Sequence, residues 1–326
     1  MTLVRRNFLR LACGAIAGSV VAPDVRAQSY PARPIRLLVS VAAGGTNDVT
    51  ARMIAQKLTE AWGHHVFVDN VPGGGEIVGT GQVAKAEPNG YTALFATGAF
   101  TLNPSLHSKL PYDTLKDFTP VTLVASGPHV LTVHPSVPAK DVNELVALVR
   151  ANPGKYSFAS SGANTQPRLV GELFKLKFGL DLVHVPFNGG GPAMTSTIGG
   201  HTPIAFTSLG NAAPSIKDGK LRALALTSAQ RLAEFPNVPT MAEAGLPQLV
   251  TGSMQGVVLP ARTPKPIVDR WHTDVAKIVA RPEIRDRLIG LGLEPVANTP
   301  QEFEAWIKAE IEKWGEAMQA AKVDRI

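Results

Sequence analysis

Ile35-Arg36-Leu37-Leu38-Val39-Ser40-Val41 runs directly into Ala42-Ala43-Gly44-Gly45-Thr46-Asn47, and Asp48 to Trp62 follows. The first run is apolar and of strand length. The second is a loop of small residues. The third places Ile54, Leu58 and Ala61 at helical spacing. The unit then repeats: Val66-Phe67-Val68 reads as a strand, Asn70 to Gly75 as a loop, and Gly79 to Ala86 as a small-residue helix. Pro88-Asn89-Gly90 turns the chain into a third strand, Tyr91 to Ala96. The order βαβαβ predicts parallel strands joined by right-handed crossovers, and hence an α/β fold.

The pattern restarts downstream. Tyr156 to Ser160, Leu182 to Phe187, Pro203 to Thr207 and Leu221 to Thr227 read as strands. Helices are expected from Pro167, over Pro192 to Ile198 and near Ala213 to Lys217. Two extended segments connect the sets: Pro120 to His134, broken by Gly127-Pro128, and Ser253 to Leu259. The remainder is helical, over Pro266 to Val279, Pro282 to Leu291 and Pro300 to Ala321, with Thr299 as N-cap of the last. A chain that leaves one α/β unit, builds another and returns reads as two lobes with two crossings. Residues 28–127 and 253–326 form the first lobe and 128–252 the second. Ligands of such folds bind beyond the carboxyl ends of strands, in the crevice.

The chain of 326 residues carries a net charge of +6 and one cysteine. At 44% hydrophobic and 18% charged residues it has material for packed cores, which excludes a disordered chain. Its first residues change the charge. Arg5-Arg6-Asn7-Phe8-Leu9-Arg10, the apolar run Leu11 to Ala22 and Val25-Arg26-Ala27 have the order of a secretory signal peptide over residues 1–27. The paired arginines fit either a twin-arginine signal or a Sec signal that happens to contain them. Removing residues 1–27, with four arginines and one aspartate, leaves +3 and takes away Cys13. The expected mature chain is a soluble periplasmic protein without disulfides, and a nucleic-acid partner loses its motivation.

The enzyme motifs sought are missing. There is no Gly-x-Ser-x-Gly elbow, no phosphate loop and no His-x-x-x-His pair, and no cofactor or metal is expected. Gly79-Thr80-Gly81-Gln82-Val83-Ala84 matches a dinucleotide pattern in letters, but a long loop separates it from the preceding strand. The histidines read as surface or hinge residues. Four loops carry more information: Ala43 to Asp48, Asn70 to Gly75, Ser160 to Thr165, and Asn188 to Gly191. Three lead promptly into helices, so backbone N–H groups and the positive end of the helix dipole point at the crevice. Glycines allow close approach and hydroxyls add donors, which suits a ligand carboxylate.

The strings in these positions resemble the Bug-type solute-binding receptors of tripartite tricarboxylate transporters, over essentially the whole mature chain. The resemblance is carried by Tyr30-Pro31-Ala32-Arg33-Pro34-Ile35-Arg36, Gly44-Gly45 with Asp48 and Ala51-Arg52, Asn70-x-Pro72-Gly73 and Pro88-Asn89-Gly90-Tyr91. Further matches are Leu110-Pro111-Tyr112-Asp113, Ala159-Ser160-Ser161-Gly162, Gly171-Glu172-Leu173-Phe174, His184-Val185-Pro186-Phe187 and Val238-Pro239-Thr240. It implies a two-lobed, type II periplasmic-binding-protein fold of the Venus flytrap kind, with no catalysis. It also implies a monomer that captures a small carboxylate, whether a di- or tricarboxylate or an aromatic acid, and delivers it to a permease of large and small membrane subunits.

By that resemblance, Ala43, Gly44, Gly45 and Thr46 hold a carboxylate, with Asp48 organising the loop. Thr97 and Gly98 line the crevice floor. Ser160, Ser161, Gly162, Thr165, Phe187, Asn188, Gly189 and Gly190 read the rest of the ligand. Arg168 and Thr207 depart from the family pattern and are expected to favour a second anionic or accepting group, with Phe100 and Phe187 available for stacking. Two other readings stay open: an exported α/β enzyme acting on a carboxylated substrate, and a ligand-presenting accessory to a sensor.

Overall fold

The computed structural model describes residues 30–163, 165–320 and Arg325. It divides into two units, residues 1–32 and Arg33–Ile326, and the fold below is that of the second. The expected export signal and Cys13 lie outside the described residues.

Strand β1 (Ile35–Val39) is flanked by β2 (Val66–Asn70) and β3 (Thr92–Thr97), both parallel to it. Helix α1 (Thr46–Trp62) crosses from β1 to β2, and α2 (Ile77–Ala84) from β2 to β3. The βαβαβ order read from the sequence is therefore present. In α1, Ile54, Leu58 and Trp62 are buried on one face, and Gly63 ends the helix in the left-handed region at φ 67°. Helix α3 (Gly98–Leu106) follows β3 directly, in a stretch where the sequence offered no amphipathic stripe because the helix is buried almost all round.

Strand β4 (Phe118–Val133) then runs for 16 residues. It is continuous through Gly127-Pro128, where the sequence suggested a break. From Phe118 to Pro128 it pairs antiparallel with β9 (Gly252–Pro260). From His129 to Val133 it pairs instead with β7 (Ile204–Ser208), and from Val130 also with β8 (Arg222–Leu226). A proline has no N–H for a ladder, so it is tolerated where one partner hands over to another. After α4 (Val142–Arg150), β5 (Ser157–Ser160), α5 (Gln166–Phe178), β6 (Val183–Pro186), α6 (Gly190–Ile198), β7, α7 (Leu209–Lys217) and β8 follow. Strand β5 is parallel to both β6 and β7. The ten-stranded mixed sheet has the order β2-β1-β3-β9-β4-β7-β5-β6, with β8 and the short β10 (Glu294–Pro295) also on β4.

Three helices complete the chain: α8 (Lys265–Val279), α9 (Pro282–Gly290) and α10 (Pro300–Ala320). Thr299 and Glu302 close a reciprocal capping box at the start of α10, with Glu302 N donating to Thr299 Oγ1 at 3.2 Å and Thr299 N to Glu302 Oε2 at 2.8 Å. The apolar face of α10 delivers Phe303 and Ile307 into a core of Leu38, Leu94, Phe100, Phe118 and Val258. A separate core gathers Phe158, Phe174 and Phe206 with Leu131 and Val149. Burying a ring such as Phe303 contributes roughly 2–3 kcal/mol.

Gly256, in the middle of β9, lies directly under the fully buried Phe303, and a Cβ there would overlap the ring. Gly256→Ala is expected to cost about 1–3 kcal/mol of unfolding free energy in a urea titration. Adding Phe303→Leu should return part of the loss, because the smaller side chain vacates the overlapped space. Simple additivity of the two substitutions would contradict this packing account.

Candidate functional site

The loop after β1 is shaped by Asp48, in the first turn of α1. Gly44 adopts φ +92°, a conformation L side chains rarely take, and its N–H donates to Asp48 Oδ2 at 3.0 Å. Asn70, at the end of β2, donates to Asp48 Oδ1 at 2.9 Å and to Val41 O at 3.1 Å. Arg52 donates to the same carboxylate at 3.0 Å. Burial by itself would raise the Asp48 pKa, but the bonds from Arg52, Gly44 and Asn70 outweigh it and hold the carboxyl below its ordinary range. Asp48 is thus an anion committed to its own loop.

This fixes the start of α1 against the far wall of a cavity. Thr46 N and Oγ1 both donate to Asn211 Oδ1 of α7, at 3.0 and 2.7 Å. Asn211 Nδ2 in turn donates to Thr207 Oγ1 at 3.3 Å. A Cβ on Gly190 would overlap the Asn211 side chain. The walls enclose about 50 Å³. Five helices begin there: α1 at Thr46, α3 at Gly98 and Ala99, α5 at Gln166 and Pro167, α6 at Gly190, and α7 just after Ser208. In all but α3 the N-cap residue makes no side-chain capping bond. The first N–H groups of a helix have no intrahelical partner, and each start carries roughly half a positive charge. Among the described lining residues there is no lysine or arginine, and the ionisable ones are Glu76 and His129.

Of the residues singled out from sequence, Gly45, Thr46, Thr97, Gly98, Ser161, Thr165, Gly189 and Gly190 line this cavity. Ala43, Gly44 and Asn188 are exposed and are not among the wall residues. Asp48 supports the loop from behind. Ser160 and Gly162 are scaffold: Ser160 Oγ donates to Gly162 O at 2.9 Å, as does Thr165 Oγ1. The 2.7 Å contact between Ser160 Oγ and His184 Nε2 has the length of a nucleophile–base pair. Ser160 is fully buried outside the cavity wall, however, and its hydroxyl proton is already given to Gly162. Phe187 packs into an apolar cluster with Val130 and Ala193, and Phe100 lies in the other core. Thr207 stands one bond behind Asn211. Arg168 turns away from the cavity wall: its guanidinium donates to Ala163 O at 2.6 Å and lines a separate crevice with Leu102 and Leu106.

Sequence reading missed several wall residues: Val41, Ala42, Asn47, Glu76, Ala99, His129, Gln166, Pro167, Ser208, Asn211, Ser253 and Met254. His129 stands at the crossing where β4 changes partner, as a hinge histidine would, but it is not at the surface. It is 2% exposed, its ring meets only a loose contact with the Gln166 side chain, and burial pushes its pKa down to about 4. Glu76 immediately follows the glycine run Gly73-Gly74-Gly75 whose loop drew attention, so the signal stopped one residue short. Its carboxyl is buried and accepts from Thr97 Oγ1 at 2.6 Å, and burial raises its pKa to about 8. No group of three or more metal-ligating side chains occurs among the described residues, and none of their helices is long and apolar enough to cross a membrane.

The raised pKa of Glu76 has a definite consequence for stability. Below its ordinary value of 4.5 both folded and unfolded chains are protonated there. As pH rises from 4.5 toward 8 the unfolded chain releases a proton that the folded chain retains, so folding becomes less favourable, and the loss levels off above 8. Glu76→Gln removes this dependence. Chemical denaturation across that range is expected to show the variant gaining on the parent by a few kcal/mol in all, at about 1.4 kcal/mol per pKa unit. A stability difference that does not vary with pH would contradict it.

The sequence profile of the tripartite tricarboxylate transporter family receptors matches residues 50–323. Protein BugT of Bordetella pertussis is 34% identical over 301 residues, covering 92% of each chain. The solved periplasmic binding protein BugD is 32% identical with a TM-score of 0.87, over 91% of this chain and 100% of that one. R. palustris Rpa4515, solved with adipate, is 31% identical with a TM-score of 0.88 over the same shares. The α/β fold is that of these periplasmic binding proteins, and the chain belongs to the tripartite tricarboxylate transporter receptor family, in its Bug-type branch.

Proposed function

We propose that this protein is an exported receptor that captures a small carboxylate in the cavity between Thr46 and Gly190. It delivers the ligand to a membrane permease of large and small subunits, without catalysis. The carrying observation is the convergence of five helix starts, four of them uncapped by their N-cap side chains, on a wall without lysine or arginine among its described residues. Such a wall binds an anion through N–H groups and dipoles, not through a counter-charge. Hydrogen bonds to a charged group contribute about 1.5–3 kcal/mol each. Three or four reach the roughly −8 kcal/mol of micromolar binding.

Residues 28–127 with 253–326 act as one lobe and 128–252 as the other, joined where β4 passes from β9 to β7 at Pro128 and His129. A ligand touching Thr46 on one side and Gly190 on the other stabilises the closed arrangement, and the Thr46–Asn211 contact spans the same gap. The adipate carried by Rpa4515 makes it the first probe.

The test is thermal unfolding of the protein after unfolding and refolding to strip any co-purified ligand, with adipate and a panel of mono-, di- and tricarboxylates. A ligand that binds only the folded state raises the melting temperature with concentration, and at 100 times its Kd adds about 2.7 kcal/mol. No shift with any member of the panel would overturn the receptor reading.

A further inference from the structure

Carboxylate capture at helix starts leaves Glu76 unaccounted for. An acid in the wall of an anion cavity repels the ligand if it is ionised. It also sits in a conformation that suits glycine: Glu76 has φ 75°, directly after three glycines. A non-glycine residue there costs on the order of 1–2 kcal/mol. Its carboxyl has no ion-pair partner among the described residues, and its hydrogen bond comes from Thr97, whose hydroxyl also accepts from Ala99 N at 3.3 Å. Two further groups in the same wall are poorly satisfied: Ser253 Oγ is buried without a partner, and the His129 ring has only a loose contact with the Gln166 side chain. Thr97, Ser253 and His129 belong to β3, β9 and β4, three neighbouring strands of the sheet, and all three line the cavity with Glu76. Buried polar groups without partners are rare in native structures and mark places where something else completes them.

We infer that Glu76, His129 and Ser253 form a second subsite that reads the far end of a dicarboxylate, with Glu76 protonated and donating its proton in a hydrogen bond to the ligand's second carboxylate. This rests on the receptor reading above and specifies its ligand. The titratable group facing Glu76 is Tyr112, from the segment after α3, and His129 on β4 lines the same cavity. Lys313 of α10 adds to the burial that depresses His129. Burial also raises Tyr112, so near neutral pH all three groups are uncharged. The five helix starts then favour negative charge at both ends of the ligand, whereas a ligand ammonium would require Glu76 to ionise.

The test is calorimetric titration of adipate, hexanoate and 6-aminohexanoate from about pH 6 to about pH 9, in parent, Glu76→Gln and Glu76→Gly proteins. Adipate affinity of the parent is expected to be level near neutrality and to fall about tenfold per pH unit once Glu76 releases its proton. Hexanoate should show no such fall. Glu76→Gln, which still donates a hydrogen bond, should bind adipate within a few-fold of the parent and lose the fall at high pH. Glu76→Gly suits the backbone at this position and should reduce the preference for adipate over hexanoate by about tenfold, the loss of one hydrogen bond to a charged group. Adipate binding that is independent of pH in the parent, a fall at high pH that persists in Glu76→Gln, or a preference for adipate over hexanoate that Glu76→Gly leaves unaltered overturns the subsite while leaving the receptor reading standing. Tighter binding of 6-aminohexanoate than of adipate overturns it as well. Binding of none of the three probes while another carboxylate of the panel still raises the melting temperature overturns the subsite alone; failure of the whole panel as well overturns both.

Discussion

The antiparallel ladder between β4 and β9 carries the rest of the structure. Both strands run through the middle of the sheet, and β4 continues into a second set of partners without leaving extended conformation. Ser126, Gly127 and Pro128 face Met254, Ser253 and Gly252 just before the handover. Ser126 Oγ donates to Ser253 O at 2.8 Å, and Thr227 Oγ1 donates to Thr251 O at 2.6 Å and accepts from His129 N. These side chains satisfy backbone groups at the point where the ladder changes partner and regular pairing alone would leave them open. Every helix start in the cavity is positioned relative to this ladder, because β1 and β3 lie on one side of it and β7, β5 and β6 on the other.

The cavity joins two opposite electrostatic tendencies. Helix starts from both sides aim partial positive charge into it, and no full cation shares the wall among the described residues. Into the same space the chain places an acid that burial keeps protonated near neutral pH. Asp48 shows the contrast. It too is buried, but three donors surround it and it stays ionised, so it shapes the loop and leaves the cavity neutral. Two buried carboxyls a short way apart in sequence therefore differ in charge because one has donors and the other has a single hydroxyl.

Much of the fold was legible in the order of strands, loops and helices. The βαβαβ start, the restart after residue 156 and the helical end at Pro300 follow from periodicity and caps, which are local properties. Helix α3 was not legible, because a helix buried on nearly all sides lacks a polar face to set a period. The unbroken β4 was not legible either, since Gly127-Pro128 is a turn signal locally and a change of partner globally. Among site residues, glycines and hydroxyls next to helix starts were readable as a type. Asn211, Ser253 and His129 were not, because each reaches the cavity from an element whose neighbours in space are far away in sequence.

The sequence by itself carried the order of strands and helices, the small-residue loops that lead into helix starts, and the strings that resemble a receptor family. Only the tertiary structure decided which of those residues share a wall. It bound Arg168 to Ala163 and left it out of the cavity wall, put Thr207 behind Asn211, and brought Glu76 beside Thr97 in the same cavity as His129. The physical reason is that helix starts and turns are set by neighbours within a few residues. The burial, charge state and hydrogen-bond partners of a side chain depend on strands brought together across more than a hundred.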